Sequence, residues 1–130
     1  MTTCLWMDGH AEEAAEFYTS IFPNSKLGRK TYYLEAGREQ HGHEPGSVMV
    51  VLFELNGNNF LALNGGPEFK FSPATSHVVH CKDQADVDYF WDELGEGVDD
   101  TNFACGWLQD KYGVSWQIVS EEVMQMVGLS

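Results

Sequence analysis

The apolar residues of this chain run through one succession of elements and then run through it again: a strand, a helix and three strands, twice over. Such an internal repeat constrains the fold more tightly than any single motif, because each copy must bury its helix against its own strands. In the first copy Thr3 to Met7 reads as a strand, and Asp8 or Gly9 opens a helix. Ala11, Ala14, Ala15, Tyr18, Ile21 and Phe22 form one helical stripe, with Glu12, Glu13 and Glu16 turned to water. Pro23-Asn24-Ser25 stops the helix, and Lys26 to Leu34 reads as a second strand. After a polar loop from Gly37 to Gly46, Val48 to Leu55 reads as a strand apolar on both faces. Asn56-Gly57 then turns the chain into a fourth strand, Asn58 to Leu63.

The second copy repeats the order. Thr75 to Cys81 is a strand, Asp83 caps a helix with the stripe Val87, Phe90, Trp91 and Leu94, and Gly95 and Gly97 end it. Gly106 to Gln109 and Val114 to Val119 form a hairpin across Asp110-Lys111-Tyr112-Gly113, and a short helix follows from Ser120 to Val127. Setting Cys4 on His77 brings Ala14, Phe17 and Tyr18 onto Val87, Phe90 and Trp91. The expected fold is therefore α+β: one domain over residues 1–130 built of two βαβββ modules, about 1–67 and about 74–120, with a C-terminal helix or tail over 121–130. By parity the strands form a cupped mixed sheet, one face under the helices on the outside and the other curled around a cleft.

Charge removes whole classes of partner. Acidic residues outnumber basic ones 20 to 7, a net charge of −13, which repels nucleic-acid backbones and anionic lipid. No apolar run reaches the roughly 20 residues that a membrane helix needs, and Met1-Thr2-Thr3-Cys4 lacks a signal-peptide pattern. Cys4, Cys81 and Cys105 are scattered and odd in number, which fits reduced thiols in a cytoplasmic protein.

Specific stretches carry a family resemblance. They are Cys4-Leu5-Trp6-Met7-Asp8-Gly9, Ala11-Glu12-Glu13-Ala14, Phe17-Tyr18, Phe22-Pro23-Asn24-Ser25, Phe60 through Pro67, and Phe69-Lys70-Phe71. Near the end come Cys105-Gly106-Trp107-Leu108 and Asp110 through Gln117. Together they span most of the chain, and they resemble the PhnB-like family, also labelled 3-demethylubiquinone 3-methyltransferase-like. That family lies within the glyoxalase/bleomycin-resistance (vicinal oxygen chelate) superfamily. The resemblance implies a small molecule held in the cup, and a homodimer in which units are sometimes exchanged.

Metal-dependent members of the superfamily bind a divalent ion through His and Glu on the first, fourth, fifth and eighth strands. Carried over by the resemblance, those positions are Cys4, Leu61, His77 and Gln117. Only His77 is a good ligand, no carboxylate is present, and Leu61 cannot coordinate at all, so no metal and no other cofactor is expected. A register shifted by two residues brings in Trp6, Leu63, Val79 and Val119, which are poorer still. The family label suggests methyl transfer from S-adenosylmethionine, but no glycine-rich strand-to-helix turn of the nucleotide-binding kind is present.

The cup face is expected to include Trp6, Val50, Leu52, Leu63, His77, Val79 and Gln117, an apolar and aromatic lining with few polar anchors. Trp116 falls by parity under a helix, as core. Asn64 and Lys70, after the fourth strand, are candidates for a carbonyl or anionic group at the rim. His77 is the candidate acid–base residue, because histidine titrates near neutrality. Cys105 reads as a packed thiol, His80 as a strand residue pointing away from His77, and His41-Gly42-His43-Glu44 as solvated loop. Three functions fit: a metal-independent small-molecule binder, an enzyme acting on a small carbonyl or ring metabolite through His77, and a non-catalytic dimeric interaction domain.

Overall fold

A computed structural model describes residues 1–37, 42–98, 103–104 and 106–128, and among these described residues it has eight strands and three helices. His41 and Cys105 lie outside the described residues. The chain divides into two units, Met1–Lys70 and Phe71–Ser130.

The first unit runs β1 (Thr2–Met7), α1 (Ala11–Ile21), β2 (Lys26–Tyr32), β3 (Val48–Leu55) and β4 (Asn58–Asn64). Its sheet has the order β1-β4-β3-β2, with β1 parallel to β4 and the other pairs antiparallel. The stripe Ala11, Ala14, Ala15, Tyr18 and Ile21 is buried against one face of this sheet. The three alanines let the helix backbone come close, and Tyr18 supplies the bulk, stacking on Phe53, which stacks in turn on Phe60. Each such fully buried side chain stabilises the unit by roughly 1.5–3 kcal/mol. The hairpin between β3 and β4 turns through Asn56 and Gly57, both at positive φ, as its tight turn demands.

The second unit runs β5 (His77–Cys81), α2 (Gln84–Leu94), β6 (Phe103–Ala104), β7 (Trp107–Gln109), β8 (Ser115–Ser120) and α3 (Glu121–Met126). Its order, β5-β8-β7-β6 with β5 parallel to β8, repeats that of the first sheet. Asp83 caps α2 by accepting from the Asp86 N–H at 2.9 Å, and Ser120 caps α3. The β7–β8 turn is tied by buried Asp110, whose carboxylate accepts from Tyr112 N, Val114 N and the Trp116 indole at 2.9, 3.0 and 2.8 Å.

Two differences from the sequence reading concern register. Strand β2 ends at Tyr32 rather than Leu34 and is bulged twice, between Leu27 and Lys30 and between Thr31 and Tyr32. More important, β5 aligns His77 with Trp116 and Val78 with Gln117. His77 therefore shares a face with buried Val79, Cys81, Trp116 and Ile118, whereas Gln117 shares the opposite face with Val78 and Trp107. The expectation that His77, Val79 and Gln117 line one face is corrected. Matching Cys4 to His77 slips the repeat by one residue, and one residue exchanges the faces of a strand. The burial pattern gives the right match: buried Leu5 and Met7 correspond to Val79 and Cys81, so Cys4 corresponds to Val78.

Candidate functional site

The first sheet has a face turned away from α1, and cross-strand pairing orders its side chains into rows. One row reads Trp6, Leu63, Val50, Thr31 across all four strands. The next reads Cys4, Leu61, Leu52. At the end of the sheet the row Thr2, Asn59, Glu54, Lys26 is polar. The face thus grades from a charged edge through an aliphatic middle to a tryptophan. Period-two alternation produces it, since the intervening Leu5, Met7, Val51, Phe53, Phe60 and Ala62 are buried beneath α1. A cavity of about 200 Å³ opens on this face between the polar row and Leu52. That is below the usual range for drug-sized ligands and suits a small molecule.

Trp6 is held firmly. Its indole N–H donates to the Gly66 carbonyl at 2.9 Å, and Phe69 meets its ring edge-on at 4.9 Å between centroids. Gly65 lies flat against it, for a Cβ there would sit 2.4–2.5 Å from three indole carbons. Asn64-Gly65-Gly66-Pro67 is therefore the rest on which Trp6 lies as well as the end of a strand. Cys4 stands exposed in the middle row, and burial of its thiol group pushes its pKa up, away from the thiolate that nucleophilic or metal chemistry needs.

Trp6, Leu52 and Leu63 come together on this face. Asn64 lies elsewhere: its Oδ1 accepts from Ala11 N at 2.9 Å and its Nδ2 donates to Val48 O at 3.0 Å. Both ends of the amide are thus spent on the start of α1 and the start of β3, and its carbonyl accepts from the Tyr33 hydroxyl at 2.5 Å. Lys70 is exposed beyond the strand, at the end of the first unit. Asn64 instead helps to line a second cavity, of about 390 Å³, together with Asp8, Glu12, His43, Glu44 and Ser47 among others. Glu12 is already paired with Lys30, and the His43 ring stacks on Tyr33 at 4.0 Å.

In the second unit, His77 tilts against Trp116 at 5.2 Å, and burial lowers its pKa, which favours the neutral imidazole. Gln117 donates to Ser76 Oγ at 2.9 Å. Ser76 escaped sequence reasoning because it stands in no motif, Gly65 because its stretch, Phe60 through Pro67, read only as the end of a strand, and Thr31 was hidden by the bulge beside it.

The donor set does not suit a divalent ion. The pairing puts Cys4 beside Leu61 in one unit and Val78 beside Gln117 in the other: a thiol, an amide and two hydrocarbons. Among the described residues, no three His, Cys, Asp or Glu side chains are grouped as metal ligands would be.

Two units of identical strand order, each with a helix on one sheet face, define a protein of the glyoxalase/bleomycin-resistance (vicinal oxygen chelate) type. Within that class the chain belongs to the PhnB-like family, for residues 1–119 match the family described as 3-demethylubiquinone-9 3-methyltransferase. The PhnB protein from Bacillus cereus, provisionally described as such a methyltransferase, is 35% identical over 92% of this chain and 98% of that one, with a TM-score of 0.75. A protein from Pseudomonas aeruginosa (17% identity, 93% and 96% covered, TM-score 0.69) and one from Arabidopsis thaliana (19%, 92% and 96%, 0.54) share the fold. No protein of curated function matches significantly.

Proposed function

We propose that this chain is a small-molecule-binding protein that receives its ligand on the α1-distal face of the first sheet, with no resident divalent metal. The observation that carries the reading is the clamped Trp6 at one end of an aliphatic face whose other end, at Leu52 and the polar row, opens into a cavity. A rigid aromatic wall next to Leu63, Leu61 and Leu52 is what an apolar ligand body rests on. Membership of a small-molecule-binding superfamily supports the same reading. Methyl transfer is not part of it, because the turn between β1 and α1, Asp8-Gly9-His10, is no nucleotide-cradling loop. The reading extends to a cytoplasmic homodimer that engages neither nucleic acid nor membrane. A net charge of −13 supports the last point. Among the described residues no helix is long and apolar enough to cross a bilayer. Exposed Val123, Met126 and Val127 around α3 offer an apolar surface for a second copy.

Elemental analysis with native mass spectrometry of the purified protein tests this. The expected result is an organic adduct that Trp6→Ala removes, and no stoichiometric divalent ion. A bound metal in stoichiometric amount would overturn the metal-free reading, and an adduct indifferent to Trp6→Ala would overturn the site.

A further inference from the structure

The geometry points to Thr31 as the polar anchor of the ligand, and to a neutral ring compound bearing a hydroxyl or carbonyl oxygen as the class of ligand it selects. The inference rests on the binding reading above and deepens it. The Thr31 hydroxyl oxygen is buried, and among the described residues it finds no hydrogen-bond partner. It is the only side-chain oxygen or nitrogen in that condition among them. A buried hydroxyl without a partner is costly, and native proteins seldom keep one without a use. Valine would fill the same volume, suit a strand equally well and leave nothing unsatisfied.

Position gives the hydroxyl its use. Thr31 pairs with Val50, Val50 with Leu63 and Leu63 with Trp6, so it ends the row that the clamped indole begins. Its neighbour Lys30 belongs to the other face, where its ammonium pairs with Glu12 of α1. The row therefore carries one polar group and no charge. A ring lying over Leu63 and Val50 against Trp6 would present its edge to Thr31. Threonine carries a methyl and a hydroxyl on one carbon, and a rotation of about 120° between staggered wells exchanges them. The residue as a whole is only half-buried, so one rotamer change brings the hydroxyl toward a ligand. The absence of charge along the row sets the class as neutral, since an ionised ligand would lose its hydration there without a counter-charge.

The test compares Thr31→Val with wild type, using p-cresol and p-xylene as probes that differ by one hydroxyl, titrated by NMR, alongside thermal melts. The ratio of the two dissociation constants should move against p-cresol by about tenfold in Thr31→Val, the worth of one hydrogen bond. The melting temperature should hold or rise, because no internal bond is lost. A lowered melting temperature would show that the hydroxyl serves the fold, and would overturn the inference. Binding of both probes with an unchanged ratio would overturn the inference and leave the binding reading standing. Binding of neither probe would overturn both.

Discussion

Replacing Gly65 by alanine separates the role of Trp6 from that of its backbone rest. Gly65 does not need the left-handed region, so the backbone accepts alanine, and the reduced freedom of the unfolded chain would by itself stabilise the protein by about 0.4–1 kcal/mol. Against this, the new methyl would lie 2.4, 2.5 and 2.5 Å from Cζ2, Cε2 and Cη2 of Trp6. Carbon atoms rest at about 3.5–4.0 Å, so the ring must retreat by roughly 1 Å or more. The retreat breaks the 2.9 Å bond from the indole N–H to Gly66 O and pushes the ring into Phe69. Overpacking costs about 1–3 kcal/mol and the bond about 0.5–1.5 kcal/mol. The net destabilisation is then about 0.5–4 kcal/mol once the backbone gain is set against it. Urea unfolding measures the loss, and ¹⁹F spectra of fluorotryptophan-labelled protein follow the Trp6 ring. The mechanism also demands coupling: in a Trp6→Leu background, with the ring gone, Gly65→Ala should be neutral or stabilising. Equal destabilisation with and without the indole would refute the reasoning.

Four further outcomes follow from the same structure. Asp110→Ala strands three donors, two of them buried, and should cost about 3–5 kcal/mol in chemical denaturation while the first sheet keeps its ligand affinity. Asn64→Ala removes the acceptor at the α1 start and the tie to Val48 and should lower stability by about 1–3 kcal/mol in the same assay. For His77, burial holds the folded pKa below 6.5, so near pH 6 the unfolded chain binds more protons than the native one and stability rises with pH. Its contribution is present above 6.5 and is lost as pH falls through the lowered folded value, so His77→Gln should flatten the melting temperature between pH 7 and pH 5. Treatment with a chelator should leave the melting temperature unchanged, and added Mn²⁺ or Zn²⁺ should not raise it, whereas a metal bound at a hundred times its Kd would add about 2.7 kcal/mol.

Much of this fold was legible because helix and strand periods differ. The α1 stripe as far as Ile21, the Asn56-Gly57 hairpin and the Asp83 cap each fall where spacing placed them, whereas Phe22, read as part of the stripe, is the extended residue that ends the helix. The row Trp6, Leu63, Val50 was likewise readable, since alternation in three regular strands fixes a common face. What failed was phase. The slip that moved His77 onto the wrong face came from aligning helices and strands of the two copies with a single offset, although the strands follow their own. Thr31 stayed hidden because two bulges in β2 break the alternation on both sides of it. Asn64 was read as a rim residue, and it does line the larger cavity, but its structural ties were not legible. Its two bonds reach Ala11 and Val48, and contacts that distant in sequence leave no local trace.

The central claim is that the α1-distal face of the first sheet receives a small molecule. It is met most directly by a methyl and indole N–H NMR titration of the whole chain with p-cresol. Saturable shifts should converge on Leu52, Leu61, Leu63, Val50 and the Trp6 indole, and vanish in Trp6→Ala. Shifts confined to the methyls of Val48, which lines the acidic cavity, or no saturable shifts at all, would contradict the account.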